Sequence, residues 1–551
     1  MNSPQIGRPA GGGRRRKLAL VVGAIMCCGA IMASVGAYFV YAKVRNNASQ
    51  ILALIQQTPG LRVTVQSKRE SMQFNGQTSA VVYLFPKTNA TTHELTFDAF
   101  VAQATAENVV HHFTLLDNRA YWTTVAANDS SVVVDATCLG AMPPFRLANL
   151  ANARVVDQVD TTDTAIDTTC PAAQLLQLSF AGETFVLCNA PTSNQLTKAV
   201  GQDVDLTIEY ISDAHALPVL AVPTSVDGHL MDCPVLPSIA DDGASSSSSS
   251  LASDVSLVLA GAPRVASLVA APACSSCVHG VKPCVFVHGV GSTGGPTTST
   301  FESYWGQIHT LLPCCSSFHF AHLELVTERW DSPTVQRAFC NVALRVSNAT
   351  NASTTIGDVT ILAHSMGNLV VGGALANNVC AMSEATTWFS LAGPMAGSKS
   401  ANLLADKCHD GSWLKKPLEL LGRCPVSGSF GSLVAESTVG PVMQATFNAA
   451  QAMRQRYVTR TLCGTNPVGL VSAYSVQTVL VGLLSHHDSP QHDGVVDILS
   501  CSAGLNGVEF GTSVESPNYA GQLNHADCSF RYGDGWWGNG RKPIKWLQCA
   551  M

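Results

Sequence analysis

The sequence predicts an α/β protein: a mostly parallel sheet with a helical cap, preceded by a β-rich domain and an N-terminal transmembrane helix. Three observations lead there. After residue 271, short apolar stretches such as "CVFVHG", "DVTILAHS", "TTWFSLAGP" and "VQTVLVGLL" read as strands and alternate with helical candidates, including 367–380. Continuous apolar strands belong to parallel sheets covered by helices on both faces. Before residue 238, short strands alternate apolar and polar residues, as half-buried strands do. Near the start, residues 18–42 form an uncharged apolar run of 25 residues.

Composition bounds the rest. The chain has 551 residues, more than one compact domain usually needs. Hydrophobic residues make up 46% and charged residues 13%, which supplies sizeable cores and excludes global disorder. The net charge of −6 comes with no clustered basic face, so no nucleic-acid partner is expected.

Arg8, Arg14, Arg15, Arg16 and Lys17 precede the apolar run, and Lys43 and Arg45 follow it. At about 1.5 Å per residue the run reaches about 37 Å, enough to cross a hydrocarbon core of about 30 Å with some tilt. The positive-inside rule then makes residues 1–17 a cytoplasmic tail and residues 18–42 a signal anchor. The expectation is a single-pass type II membrane protein with its bulk lumenal or extracellular. A cleaved signal peptide is the competing reading, with small residues at Ala30, Ala33, Ser34 and Ala37, and would give a secreted protein.

Both readings place the bulk of the chain on the oxidising side. Asn47, Asn89, Asn128, Asn348 and Asn351 stand in N-x-S/T triplets and are glycosylation candidates. Of 19 cysteines, Cys27 and Cys28 lie in the apolar run, leaving 17 scattered along the chain. That scatter reads as a disulfide framework with at least one cysteine left over. Cys274 and Cys277 form a C-x-x-C without a second matching pair, so they too read as disulfide cysteines.

A linker at 239–270, containing "ADDGASSSSSS", divides the chain. Residues 44–238 form the β-rich domain. In "ELTFDAFVA", Leu95, Phe97, Ala99 and Val101 alternate with other residues, and "HHFTLLDNRAYWTTV" reads as two strands around an Asp117-Asn118 turn. This domain shows no catalytic constellation; a sheet that binds a lipid or a partner and a plain spacer are both compatible with it. Within 271–551, an insertion at about 398–462 reads as amphipathic helices that cap a site. The tail "GDGWWGNGRKPIKWLQC" holds Trp536, Trp537 and Trp546, expected to be buried against the main domain.

The chemistry gathers around "TILAHSMGNLVV", residues 360–371. A strand runs into His364-Ser365-Met366-Gly367, and a helix follows. Such a turn strains the serine backbone and exposes the hydroxyl, so the residues two before and two after must be small. Ala363 and Gly367 meet that need. A serine hydroxyl needs a base, and the base needs an orienting acid. In elbows of this kind the chain order is Ser, then Asp or Glu, then His. "HHDSPQHDGVVDILSC" supplies Asp488, Asp493 and Asp497, and "QLNHADCSF" supplies His525. An oxyanion needs two backbone N–H donors. Met366, just after the serine, and Val290, in the loop after His288-Gly289, are the candidates.

These stretches together resemble the α/β-hydrolase lipases, especially bacterial triacylglycerol lipases. The matching motifs read "FVHGVG", "AHSMGN", "HDGVVDILSC" and "NHAD" here, and the likeness covers roughly residues 280–530. More loosely, the chain resembles lipase-like enzymes that deacylate glycolipid anchors. The resemblance implies that Asp493 is the acid and His525 the base. It implies a lipid-ester substrate and no required cofactor. It also places a calcium ligand two residues after the histidine, where Asp527 stands. The expected function is therefore a membrane-anchored serine hydrolase acting on carboxylic esters through Ser365, Asp493 and His525. The competing classes are a non-catalytic binding or adhesion protein on the same scaffold, and an acyltransferase or thioesterase.

Overall fold

The structure is a computed structural model. It describes residues 50–73, 77–88, 95–104, 108–139, 154–156, 158–160, 175–180, 183–189, 193, 195–236, 265–267, 274, 276–347, 354–408, 424, 426–470, 472, 474–505, 507–536 and 538–551. Residues 18–42, most of the linker, Asn47, Asn89, Asn348, Asn351 and Trp537 lie outside the described residues. Asn128 lies within them, in the exposed turn between two strands.

Most of the described strands before residue 236 form one antiparallel sheet. β1 (Gly60–Ser67), β2 (Ser79–Thr88), β3 (Leu95–Ala104), β4 (Val109–Leu116), β5 (Arg119–Ala126) and β6 (Asp129–Leu139) pair in succession. β7 (Arg154–Val156), β9 (Leu175–Phe180), β10 (Glu183–Asn189), β11 (Leu196–Val200) and β12 (Val204–Ile211) continue the sheet from the other side of β1, while β8 (Gln158–Asp160) pairs instead with β13 (Val265–Ser267). The order is β6-β5-β4-β3-β2-β1-β12-β11-β10-β9-β7, eleven strands. Asp117 and Asn118 make the two-residue turn from β4 to β5 at φ 50° and 59°, the left-handed region that Asp and Asn tolerate. Leu61, Val63 and Val65 on β1 join Val82, Leu84, Phe97 and Ala99 on one face, which packs on Ile51 and Ile55 of a helix at 50–57.

The second sheet has seven strands. Its order is β15 (Gly295–Thr298), β16 (Cys315–His322), β14 (Lys282–Val287), β18 (Thr360–His364), β20 (Thr387–Leu391), β21 (Arg460–Gly464) and β22 (Tyr519–Gly521). β15 runs antiparallel to β16 and the other neighbours run parallel, so the sheet is mixed. β17 (Thr355–Ile356) and β19 (Ala381–Met382) form a separate two-stranded pair. Every residue of β18 and β20 is buried, which is why these strands are apolar on both sides.

Helix α1 (Pro333–Val346) starts on Pro333, whose ring suits the first helical turn. It buries Val335, Phe339, Val342 and Ala343, a helical spacing. Helix α2 (Gly367–Ala376) is apolar all round and all but its last residue is buried. Helix α3 (Pro441–Tyr457), from the expected cap, is built into the core: a Cβ on Gly372 of α2 would stand 2.8 Å from Ala450 O, and Phe447 and Arg454 are fully buried. "VQTVLVGLL", expected as a strand, is helix α4 (Ser475–Ser485). Short apolar runs do not separate a buried strand from a helix, and eleven residues favour the helix.

Two expectations are corrected. The chain is not of the α/β class with a mostly parallel sheet: it combines a large antiparallel sheet with a mixed sheet. The expectation leaned on the apolar runs after residue 271, whereas the longer alternating strands of residues 60–211 build the larger sheet. The single-pass membrane topology is corrected as well, since no helix among the described residues is long and apolar enough to cross a membrane. Hydropathy alone does not tell an anchor from a signal sequence. The disulfides fit the competing reading, an extracellular or secreted protein.

Among the described residues, seven disulfides join Cys138–Cys233, Cys274–Cys549, Cys277–Cys314, Cys284–Cys315, Cys340–Cys380, Cys408–Cys424 and Cys463–Cys501. Cys274 and Cys277 thus pair elsewhere and not with a metal. Cys528 is free and buried.

The antiparallel sheet meets the C-terminal segment through polar contacts. Asp203 sits between Lys542 and Lys545 of helix α5 (Pro543–Ala550) and the residue before it, and Glu183 lies 3.4 Å from Lys542 Nζ. Ser71 donates to Asp534 at 2.7 Å, and Asp534 also accepts from the Ile544 N–H at the start of α5. Trp536 Nε1 donates to Met72 O. Trp546 is fully buried against Tyr519, with ring centroids 5.7 Å apart.

Candidate active site

β18 ends at His364, and the chain turns through Ser365 and Met366 into α2. Ser365 holds φ at 54°, a left-handed backbone that costs a non-glycine residue on the order of 1–3 kcal/mol. The surroundings enforce it. Ser365 N–H donates to Leu391 O on β20 at 2.9 Å. Asn368 Nδ2 reaches Ala363 O, Ser365 O and Leu391 O at 2.9, 3.2 and 3.2 Å, and Asn368 Oδ1 accepts from Trp388 Nε1. A Cβ on Gly367 would stand 2.7 Å from Val287 O, so only glycine lets α2 approach the end of β14 this closely. Ala363 is fully buried in the core.

Three side chains meet at this turn. Ser365 Oγ donates to His525 Nε2 at 2.8 Å, and His525 Nδ1 donates to Asp493 Oδ2 at 2.7 Å. Asp493 is 1% exposed. Its other oxygen accepts from Val495 N–H and Val496 N–H at 2.9 and 2.7 Å, which fixes the carboxylate in the tight loop after α4. Asp488 and Asp497 are placed elsewhere: Asp488 pairs with Lys399, and Asp497 caps a short helix through Ser500 N–H.

The loop carrying His525 is braced by its neighbours. Asn524 Oδ1 accepts from Ala526 N–H and Asp527 N–H, and Asn524 Nδ2 donates to Val468 O. Asp527 Oδ2 accepts from Asn524 N–H and Leu470 N–H. Burial pushes the Asp527 carboxyl up to about 6 against the opposing pull of those two N–H groups. Its Oδ1 is buried without a hydrogen-bond partner among the described residues. Calcium takes six to eight oxygen ligands. Among the described residues no group of three or more His, Cys, Asp or Glu is placed to hold a metal ion.

A second hydrogen-bonded line runs beside the first. Gly289 N–H donates to Tyr304 Oη at 2.7 Å, and Tyr304 Oη lies 2.7 Å from His364 Nδ1. His364 Nε2 lies 3.0 Å from His525 O. A carbonyl only accepts, so Nε2 carries the proton and Tyr304 donates to Nδ1. Burial holds His364 well below the ordinary histidine range and pushes Tyr304 up to about 12, so both groups are neutral. His288 is likewise neutral, lowered to about 4 by burial. It accepts from Leu323 N–H on Nε2 and donates from Nδ1 to Gly289 O at 2.7 Å.

This line decides which amides remain open. Gly289 N–H is spent on Tyr304, and Gly291 N–H is spent on Leu325 O. The N–H groups of Val290 and Met366 make no hydrogen bond among the described residues. A Cβ on Gly289 would stand 2.5 Å from Ser365 Cβ and 2.9 Å from Ser365 Oγ. A serine hydroxyl, an imidazole and a buried carboxylate in series can move a proton off the serine and hold the resulting charge.

Ser365, Asp493 and His525 are brought together, and His288, Gly289, Val290, Ala363, Met366 and Gly367 surround them. Asn368, Tyr304 and Asn524 were not anticipated as site residues. Asn368 and Asn524 stand inside the quoted motifs "HSMGN" and "NHAD" and could have been found there. Tyr304 lies 60 residues before His364, and no spacing signals it.

No family model matches the chain, and no curated protein matches it. Among solved structures, the Pseudomonas aeruginosa MucA/MucB complex is 10% identical over 30% of this chain and 55% of that one, with a TM-score of 0.18. The chain therefore spans about half the length of that structure. LprF from Mycobacterium bovis is 13% identical over 33% of this chain and 96% of its own, with a TM-score of 0.19. A puromycin hydrolase is 11% identical over 72% of this chain and 60% of its own, also at 0.19. Likenesses this slight carry no argument about fold or activity.

Proposed function

We propose that the protein is a serine hydrolase that cleaves carboxylic esters through an acyl-enzyme. The observation that carries this reading is the line from Ser365 Oγ to His525 Nε2 at 2.8 Å and from His525 Nδ1 to Asp493 Oδ2 at 2.7 Å. Ser365 Oγ attacks the carbonyl carbon while its proton passes to His525 Nε2. Asp493 holds the imidazole in the required tautomer and balances the imidazolium. The Met366 and Val290 N–H groups face the oxyanion. His525 then protonates the leaving alcohol, and water repeats the sequence to free the acid. The lipid-ester preference rests on the resemblance of the four motifs to lipases. No step uses a metal ion.

A fluorophosphonate probe tests the reading. The wild-type protein labels, and Ser365→Ala does not. Labelling that persists in the alanine variant sinks the assignment of the nucleophile. A second outcome follows from the crowding at Gly289. Gly289→Ala puts a methyl group against Ser365, and displacements of this size cost about 100-fold in kcat/KM. Steady-state hydrolysis of a 4-nitrophenyl ester measures it, and an unchanged rate contradicts the close approach.

A further inference from the structure

We propose that Arg531 binds an anionic group of the substrate, so that the ester cleaved at Ser365 carries negative charge near the scissile bond; this rests on the hydrolase reading. The Arg531 guanidinium lies between two rings, 4.8 Å from the centroid of Tyr304 and 5.1 Å from that of Tyr474. Its Nε donates to Ser529 Oγ at 3.0 Å. Ser529 Oγ in turn lies 2.9 Å from Tyr304 O and 2.7 Å from Ala526 O. The backbone is fixed too, since a Cβ on Gly306 would stand 2.7 Å from Arg531 Cα. The cation is thus held in place before any ligand arrives.

Its terminal nitrogens are uncommitted. Among the described residues Nη1 and Nη2 have no hydrogen-bond partner, and no carboxylate lies within ion-pair distance of them. The Asp527 carboxylate, from the same loop, spends Oδ2 on two backbone N–H groups. A half-buried guanidinium with two free donors matches a carboxylate or a phosphate bidentately. Stacking on two rings removes much of the side-chain entropy that such a contact would otherwise cost.

The location ties this cation to the reaction. Tyr304 carries Arg531 over its ring face, while its hydroxyl sits at Gly289 N and His364 Nδ1. A Cβ on Gly289 would touch both Tyr304 Oη and Ser365 Oγ, at 3.0 and 2.9 Å. One tyrosine therefore separates the guanidinium from the nucleophile. An ester with its negative group a few bonds from the carbonyl spans that separation.

The test compares two esters of equal length with the full-length protein: neutral 4-nitrophenyl hexanoate and anionic mono-4-nitrophenyl adipate. A charge-assisted contact predicts about a tenfold preference in kcat/KM for the adipate, seen mainly in KM and shrinking with added salt. Arg531→Met brings the ratio to about one, and Arg531→Lys restores part of it, which a purely structural role for the stacked side chain would not do. Release of fatty acid from phosphatidylglycerol over diacylglycerol, which lacks the phosphate, lost in Arg531→Met, places the charge on a lipid headgroup. Equal release from both lipids, with the adipate preference intact, places it on a soluble acid. Hexanoate cleaved as well as adipate, or the same ratio in wild type and Arg531→Met, overturns the proposal and leaves the hydrolase reading standing. Cleavage of neither ester overturns both.

Discussion

His525→Ala lowers kcat for a 4-nitrophenyl ester by about 10⁴- to 10⁶-fold, with KM changed far less. The size follows from the geometry. Among the described residues His525 is the one group within hydrogen-bond reach of Ser365 Oγ that can take its proton, at 2.8 Å. The neighbouring imidazole of His364 offers no substitute, because its Nδ1 accepts from Tyr304 and its Nε2 faces a carbonyl. Free Ser365 would have to ionise unaided at neutral pH, and the residual rate would come from the amides of Met366 and Val290 alone. Asp493→Asn is expected to cost about 10⁴-fold, since an amide at that place favours the wrong imidazole tautomer. Steady-state kinetics with circular dichroism of each variant checks both. A loss below about tenfold in a folded His525→Ala protein refutes the proton-relay role.

How far these features could be read beforehand depends on the range of the interaction that fixes them. The turn at Asp117-Asn118 is local: two residues that tolerate positive φ sit between two alternating stretches. The elbow at Ser365 is also local, because small residues at 363 and 367 and the flanking strand and helix all lie within one stretch. The order Ser365, Asp493, His525 is visible along the chain, although only the folded geometry shows which of Asp488, Asp493 and Asp497 meets the histidine. Tyr304 was invisible because its role depends on Gly289 and His364 arriving from two other strands. The stretch 475–485 misled for a different reason. Its apolar run reads as a buried strand, but the helix buries Ser475, Thr478 and Ser485 and leaves Leu480 and Leu483 55% and 73% exposed, which an apolar count alone does not reveal. The fold class misled because apolar density drew attention to β14, β18 and β20, while the eleven-stranded sheet is written in weaker two-residue alternation.

Asp203→Ala destabilises the fold by about 3–5 kcal/mol, the typical cost of breaking a buried ion pair by removing one partner. Asp203, Lys542 and Lys545 are 3%, 1% and 6% exposed. Asp203 Oδ2 lies 2.8 Å from Lys545 Nζ and is also bound by Lys542. Without it, Lys545 loses its carboxylate and Lys542 keeps only Glu183, 3.4 Å away. The contact joins β12 and its turn to α5, so its loss weakens the attachment of the antiparallel sheet to the segment that also carries Asp534 and Trp546. Urea unfolding followed by tryptophan fluorescence should show a lower midpoint, and a midpoint equal to wild type refutes the role assigned to this carboxylate. The pH dependence has a definite sign. Burial raises the Asp203 carboxyl, but Lys542 and Lys545 together outweigh it and hold the group below its usual range. Its contribution is present in full above about pH 4, the unfolded value, and fades as pH falls through the lower folded value. Wild type should therefore lose stability below about pH 4 more steeply than Asp203→Ala, and parallel curves would show that the ion pair does not titrate as its surroundings require.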